Sequence, residues 1–490
     1  MNEHFRVSQK LGLMFRPDQT LPRDIKAWAI KQLKAPSPVL GTETVHSEIK
    51  PWPKSLQPNL DDRAAMMRLH WENTKKRRQK IKGFDTEAAK QANDRENRMH
   101  KKDMLKFAHQ NAYGSDQVRQ RLVSFWTNHF TMGGFESREL SSHAMEEGIL
   151  ASFDDSFSDM LYKATTHPAM LMYLDNHISA GPNSNHVRWA RSRNEQAGLN
   201  DNLGRELLEL HTVSPSANYT EDDIRDAAKV LAGWGMDVQG NDPNHLIEQA
   251  GTTNHWDMYK KNWAEPGSKV VLGKTIYQGK QGLRQLTDFL ANHEHTITHL
   301  SFKLAEHFVS DEPKQSDVDY IASAWRKNNG SLESIHTAVI ESAIESKEPK
   351  FQWPMTWLFQ VIRLTDSRYF KGWSEVDTYL NRTMETRRIF EELGQSFWVQ
   401  RQPNGYSSKK EDWMSGEMFE RRIRFSESIY NTGGGITEPE VIMERIGANR
   451  ETRNLITSLG SSRKNQFIAL MCSPEPVSYT HLTLPTILRV

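Results

Sequence analysis

The stretch NDNLGRELLELHTV at 200–213 sets titratable side chains among leucines. At helical pitch, one arc of roughly 100° holds four polar residues, namely Asn202, Arg205, Glu206 and Glu209. If this arc faces a buried cavity, the carboxylates need polar partners and could perform general acid–base chemistry, with Arg205 binding an anionic group. If it faces water, it is a solvated strip, and His211 merely suits the negative end of the helix dipole. The stretch alone leaves both interpretations open.

A second titratable group stands in RLVSFWTNHF at 121–130. On a helical wheel, His129 lies in the middle of the apolar stripe, whereas Asn128 faces the other way. Such a histidine is either a satisfied core residue or an imidazole whose pKa is tuned by burial beside a carboxylate. The second interpretation predicts that His129 and the 205–211 arc share one polar pocket.

Patterns that would name a cofactor are missing from the sequence. His295 and His299 are four residues apart in NHEHTITHLSFKLAEHF, but the spacing of a zinc-protease motif is not met. The arc at 206–211 reads Glu-x-x-Glu rather than the Glu-x-x-His of helical carboxylate-bridged metal sites. Neither a Gly-x-Ser-x-Gly elbow nor a phosphate or dinucleotide loop occurs. We therefore expect no metal site and leave the cofactor unknown.

The elements that would position these residues are helices. The pattern predicts an exposed helix or helical pair over 60–110 and an amphipathic helix over 219–235. An insertion rich in Gly and aromatic residues at 236–280 contains a strand-like KVVLGKTIY, and 393–413 is a long aromatic loop. The prediction is an all-α, multi-helix single domain, in one body or two lobes, with a small, partly strand-forming insertion.

Composition limits the class of protein. The 490 residues carry a net charge of +1, so no overall attraction to nucleic acid is expected, and the basic run KKRRQKIK at 75–82 is interpreted as a solvated helix face. A single cysteine, Cys472, excludes an internal disulfide. No apolar run reaches the ~20 residues of a membrane span, and no export signal is visible. We expect a cytoplasmic protein, with export open if the true start lies upstream.

The residues at 476–490, PVSYTHLTLPTILRV, differ in texture from the helical chain before them. Val477 to Thr486 can be back-translated into the adapter used in transposase-based sequencing libraries. The native chain is therefore predicted to run to Glu475, and the tail is set aside from fold reasoning.

Six segments occur in an order typical of one bacterial family: LVSFWTNHF, THPAMLMYLDN, LNDNLGRELLELHT, YTEDDIRDAAKVLAGW, KVVLGKTI and LGQSFWVQRQPNGY. From residue 10 to residue 475 the chain resembles the "domain of unknown function 1800" proteins. The resemblance implies a helical bacterial protein without an assigned activity, whose gene commonly neighbours that of a sulfatase-like protein. The residues that it marks are Asn128, His129, His167, Asp175, Asn202, Arg205, Glu206, Glu209 and His211.

This chain departs from the family pattern at two places. It reads ILAS at 149–152, where many members have Ile-Arg-Pro-His, and WAEPGSK at 263–269, where they have a His-Asp pair before the strand. If those lost groups were catalytic, this branch would be altered or inactive.

Two functions remain open from the sequence. In a hydrolase-like enzyme, His129 with Glu206 or Glu209 would perform acid–base catalysis. Substrate would then be bound by the remaining marked residues, Asn128, His167, Asp175, Asn202, Arg205 and His211. The alternative is a non-catalytic helical scaffold that docks a partner, with the sulfatase-like neighbour as the candidate.

Overall fold

In the computed structural model, the described residues are 2–34, 37–58, single positions between 63 and 79, 86–133, 138–235, 259–376, 386–400, 402–432 and 438–477. The first part of the predicted insertion, 236–258, and the tail from 478 onward lie outside them. Of the basic run, Lys76, Arg77 and Gln79 are described, and all three are exposed.

The fold is all-α, as predicted. The helices of the first half are α1 Glu3–Leu11, α2 Ile25–Lys34, α3 Thr86–Tyr113, α4 Gln117–His129, α5 Arg138–His143, α6 Phe157–Thr166, α7 Pro168–Tyr173, α8 Asn185–Ser192, α9 Asn202–Glu209 and α10 Glu221–Leu231. Those of the second half are α11 Lys280–Ala291, α12 Glu294–Phe308, α13 Gln315–Lys327, α14 Leu332–Glu345, α15 Pro354–Thr365, α16 Thr386–Glu392, α17 Gly416–Thr432, α18 Pro439–Ile446, α19 Arg450–Ser458 and α20 Arg463–Met471. A helical turn, Pro474–Val477, follows.

Short irregular helices join several of these elements. A π-helical turn, Ala144–Ile149, continues α5 and leads into the 3₁₀ helix Leu150–Ser152. Further 3₁₀ helices are Lys54–Leu56, Asn176–Ile178, Pro215–Ala217 and Lys410–Trp413.

Two small antiparallel hairpins interrupt the helices. Strands β1 (Leu40–Thr42) and β2 (Ile49–Pro51) form the first, and β3 (Lys269–Val271) and β4 (Lys274–Ile276) form the second at the predicted strand. Leu272 and Gly273 link β3 to β4 with positive φ angles of 49° and 75°, as a two-residue type I′ turn requires. The main-chain N–H of Leu272 donates to Asp223 of α10 at 2.7 Å, which fixes this hairpin on that helix.

The core is built around α15, whose twelve residues are all buried. An apolar helix of this kind must be covered on every side, and α3, α17 and the C-terminal turn pack against it. Arg363 of α15 donates to the main-chain oxygens of Met14, Ala112 and Gly114. Two of these bonds supply hydrogen-bond donors to main-chain carbonyls at the C-terminal end of α3, which have no partner within the helix.

The predicted exposed helix at 60–110 is exposed only in part. The first half of α3 has mostly solvent-facing side chains, whereas the half from Met99 to Tyr113 is largely buried beneath α15 and α16. Sequence polarity misled the prediction because several charged side chains of this half are buried in ion pairs, such as Asp103 with Arg63 at 2.8 Å.

Helices α12, α13 and α14 pack consecutively against one another, and α14 also contacts α1 and α2. This arrangement sets α12 beside the end of α4 and the chain that leaves α9. Within the described residues, no helix is long and apolar enough to cross a bilayer.

Candidate active site

The imidazole of His129 is sealed inside the protein. Its residue is 3% exposed, and its ring is surrounded by Phe125, Trp126 and Phe130. Nε2 lies 3.2 Å from the main-chain oxygen of His211, and Nδ1 lies 3.1 Å from Nζ of Lys303 on α12. Both ring nitrogens are therefore occupied by protein groups.

These two contacts determine the protonation of His129. A carbonyl oxygen only accepts hydrogen bonds, so Nε2 carries the proton and donates it to His211. Nδ1 is then the acceptor, and Lys303 is the donor. Burial, followed by the nearby Lys303, lowers the pKa of His129 well below its usual value. The imidazole is neutral at physiological pH.

Lys303 is the partly exposed member of this pair. Burial lowers the pKa of its amine to about 8, and the half-buried Glu306 opposes that shift. His299 lies one turn earlier on the same face of α12, and burial followed by Lys303 lowers its pKa to about 4. The amine therefore has a neutral imidazole as its hydrogen-bond partner and a second neutral imidazole beside it. We refer to Lys303, His129 and His299 as the lysine–histidine site.

His211 lies next to His129 of the lysine–histidine site. Its ring centroid is 6.0 Å from that of His129, and the residue is fully buried. Among the described residues, neither ring nitrogen has a hydrogen-bond partner. Burial lowers the pKa of the imidazole to about 3, so His211 is a neutral polar group held at a desolvation cost.

The predicted strip on α9 is separate from the lysine–histidine site. Arg205 binds Glu221 through two hydrogen bonds of 2.9 and 3.1 Å, and Asn202 is exposed. Glu206 is half-buried, and burial followed by the charge of Glu209 raises its pKa. In the described structure, none of the contacts of His129 involves either glutamate. Only His211, at the end of the strip, comes together with His129.

Asn128 faces away from His129, as the helical wheel predicts. Its amide nitrogen donates to the main-chain oxygen of Tyr406 at 2.9 Å, and its amide oxygen accepts from the N–H of the same residue at 2.7 Å. This pair of bonds holds the predicted aromatic loop against α4. The loop packs inward, with Trp398 and Trp413 buried.

His167 and Asp175 lie at the two ends of α7. Nδ1 of His167 accepts from the N–H of Ala169 at 3.1 Å and caps the helix, so Nε2 carries the proton toward Nδ1 of His143 at 3.2 Å. Burial, followed by His143, lowers the pKa of His167 well below its usual value. Asp175 has a left-handed backbone, with φ at 56°. Within the described ranges, no hydrogen bond joins His167 or Asp175 to the lysine–histidine site.

Sequence reasoning missed Lys303. The usable signal was the four-residue repeat of His295, His299 and Lys303, which puts three basic groups on one helical face. In the sequence, the spacing of His295 and His299 fits no zinc-protease motif, so no site is predicted on this face. Over the described ranges, no group of three His, Cys, Asp or Glu side chains is arranged to hold a metal ion.

Comparison with known proteins gives a family and no activity. No curated protein and no solved structure matches the chain. One family model, described as "Protein of unknown function (DUF1800)", matches residues 8–478, nearly the full length. The match spans both halves of the fold, including α4, α9 and α12. The chain therefore belongs to the DUF1800 family.

Proposed function

We propose that the protein is a hydrolase-like enzyme in which Lys303 is the acid–base group that faces the substrate. The observation that carries this proposal is the 3.1 Å contact between Nζ of Lys303 and Nδ1 of the sealed His129. In this proposal His129 is a positioning residue, because both of its nitrogens are occupied by protein atoms.

The chemistry follows from the direction of that hydrogen bond. A neutral amine that donates one N–H to His129 keeps its lone pair available for a proton. With a pKa of about 8, the amine of Lys303 is neutral in about one molecule in ten at pH 7, which suits a general base. It would take a proton from water as that water attacks an ester-type centre. His299 would offer the substrate a neutral hydrogen-bonding group.

The buried lysines of the described chain differ in their partners, and Lys10 and Lys269 donate to main-chain oxygens. Lys350 is paired with the carboxylate of Asp311, and Lys106 is paired with Glu146. Such ion pairs compensate part of the cost of removing an ammonium group from water. Lys303 instead has a neutral imidazole as its direct partner. The arrangement keeps the amine easy to deprotonate at a cost in stability, which is typical of working sites.

The test combines reactivity with turnover. Competitive amine labelling between pH 6 and 11 measures the pKa of Lys303, and a panel of chromogenic phosphate and sulfate esters measures hydrolysis. Lys303→Met is expected to lower the rate on the accepted ester by about 10²–10⁴-fold. Lys327→Met, on the exposed end of α13, is the matched control and should leave the rate unchanged.

Two His129 variants separate positioning from packing. Gln can accept from Lys303 and donate to the His211 carbonyl, so His129→Gln should keep more activity than His129→Leu. It should also keep the acid limb of the pH–rate profile near pH 8. A Lys303 amine that titrates near its ordinary value, or full ester hydrolysis by Lys303→Met, would contradict the proposal.

The predicted strip on α9 also has a role in this proposal, as a surface that recognises the substrate. We propose that Glu206, Glu209 and Arg205 contact the substrate away from the reacting bond. The half-burial of Glu206 and its raised pKa support this role. Glu206→Gln is then expected to raise KM while leaving kcat close to that of the parent.

A second candidate function is a scaffold that docks a sulfatase-like protein. The observation that favours it is Trp189 on α8, which is 48% exposed and has the guanidinium of Arg193 4.5 Å from its ring centroid. Exposed tryptophan and arginine are typical anchors of protein interfaces. Co-purification of the two proteins, lost in Trp189→Ala, would support docking, and two separate monomers after gentle mixing would contradict it.

A further inference from the structure

We infer that Ser216 and His295 form a nucleophile–base pair, a second reactive site that accepts the acyl group of carboxylic esters. Ser216 lies in the 3₁₀ helix Pro215–Ala217, opposite the start of α12. Its Oγ is 3.0 Å from Nδ1 of His295. Ser216 is exposed and His295 half-buried, so an ester can reach the hydroxyl from solvent.

The backbone that presents Ser216 is strained. Ser214 has φ 60° and ψ 168°, a region that is essentially restricted to glycine and costs other residues about 1–3 kcal/mol. In this conformation, Oγ of Ser214 lies 2.9 Å from Oγ of Ser216 and accepts from the N–H of Ser216 at 3.4 Å. The N–H of Ser214 donates to Leu208 of α9 at 3.0 Å, which holds the turn in place.

These contacts orient the hydroxyl of Ser216. If the hydroxyl of Ser214 donates to Ser216, the proton of Ser216 has two acceptors, the main-chain oxygen of Val213 at 3.4 Å and Nδ1 of His295 at 3.0 Å, and the shorter contact favours His295. The main-chain N–H of His295 donates to Nδ1 of His293, and the two rings are 5.6 Å apart. The start of α12 therefore fixes the backbone from which the imidazole of His295 extends toward the serine.

The reaction balances with water as the co-reactant. Oγ of Ser216 bonds to the ester carbonyl carbon while its proton passes to Nδ1 of His295. The carbon–oxygen bond to the alcohol breaks, and the alcohol leaves with that proton. Water then attacks the acyl-serine ester, His295 takes the proton from water, and Ser216 leaves as the hydroxyl with that proton. The products are an alcohol and a carboxylic acid.

This pair is distinct from the lysine–histidine site. His295 and Lys303 are eight residues apart on α12, which corresponds to about 12 Å along the helix. The hydrogen bonds of the two sites are also separate, because His295 contacts Ser216 whereas Lys303 contacts His129. The inference therefore goes beyond the proposed function and can fail independently of it.

The test uses the full chain and an alkyl fluorophosphonate, which labels activated serines covalently. We expect one label per chain at Ser216, none in Ser216→Ala, and labelling at least 100-fold slower in His295→Gln. The exposed Ser461, which has no recorded contact with a histidine in the described structure, serves as the matched serine. Ser461→Ala should label like the parent. A burst of one equivalent of nitrophenol from p-nitrophenyl acetate should accompany the labelling.

Ser214→Gly provides a second test, in which slower labelling could not be explained by a less stable fold. Glycine adopts this backbone without strain, so the variant should melt at a higher temperature than the parent. It also lacks the hydroxyl that orients Ser216, so its labelling should be about tenfold slower. Labelling of Ser216 no faster than that of Ser461, or an undiminished nitrophenol burst in Ser216→Ala, would overturn the inference.

Discussion

The main-chain oxygen of His211 determines which nitrogen of His129 carries a proton. The carbonyl lies 3.2 Å from Nε2, so this nitrogen is the donor and Nδ1 is left to accept from Lys303. A backbone atom at the end of α9 thereby sets the hydrogen-bonding role of a side chain on α4 and of an amine on α12. Three distant parts of the chain meet in this relationship.

Replacement of Lys303 should stabilise the protein most at neutral pH. The folded pKa is about 8 against 10.5 for the free group, so the unfolded chain binds more protons between these values and stability rises with pH across that window. Lys303→Met removes the penalty of about 3 kcal/mol at pH 7 but also a hydrogen bond of about 1 kcal/mol. We expect a gain of roughly 2 kcal/mol by urea denaturation, shrinking toward pH 10. A gain that does not change between pH 7 and pH 10 would contradict the assigned cause.

Acid should unfold the protein below about pH 6. Burial lowers the pKa of His109, His211 and His336 to about 3, and that of His129 and His167 well below the usual value. The unfolded chain takes up these protons first, so stability is lost as pH falls below 6.5, by about 1.4 kcal/mol per pH unit for each group.

A variant of one histidine tests this linkage. Nε2 of His336 accepts from Trp126 at 2.9 Å, and the amide oxygen of His336→Gln can do the same. The slope of unfolding free energy against pH should fall by about 1.4 kcal/mol per unit below pH 6. Replacement of the exposed His46 by Gln is the control and should leave the slope unchanged. An equal slope in both variants would show that folding does not lower the pKa of His336.

Two glycines with the same backbone angle separate conformational strain from contact. Gly405 has φ 66° and Gly460 has φ 67°. A Cβ on Gly405 would meet the main-chain oxygen of Asn128 well inside van der Waals contact, whereas a Cβ on Gly460 would face open space. Gly405→Ala should therefore cost about 1–3 kcal/mol more than Gly460→Ala in chemical denaturation. Equal costs would show that the loop at 402–413 is not held tightly against α4.

Lysine should not substitute for Arg363. The guanidinium donates to three main-chain oxygens, those of Met14, Ala112 and Gly114, and a single ammonium cannot reach all of them. Arg363→Lys is expected to cost about 3 kcal/mol or more, with faster hydrogen exchange near residues 12–19. The exposed Arg188→Lys is the control and should change stability by less than about 0.5 kcal/mol. An equally large loss of stability in Arg188→Lys would show that the three main-chain contacts of Arg363 are not the cause.

The helical fold could be predicted because its signals are local. Thr220 and Asp223 form the capping box that begins α10, and the apolar residues of α4 recur at helical spacing in the sequence. The half-burial of α3 could not be predicted in the same way. Its buried charges have partners such as Arg63 and Glu146 in other segments, about forty residues away.

The candidate site could be predicted from the sequence only in part. The sequence placed His129 in an apolar stripe, and the structure buries it there. Its expected partner was a carboxylate from the 205–211 arc, but its recorded partners are a backbone carbonyl and Lys303, which is 174 residues away. A helical wheel gives the direction of a side chain but not what lies opposite, so the lysine could not be assigned without coordinates.

The interlocking of α1 with the far end of the chain has a consequence for biosynthesis. The N–H of Asn2 donates to Ile446, and the Gln9 amide donates to the oxygen of Glu475. At about 5–20 residues per second, a ribosome needs roughly 20–100 seconds to make the chain up to these late partners. Until then α1 can pack against α2 and α4, which emerge early, but its bonds to the C-terminal segment form only after nearly the whole described chain has been made.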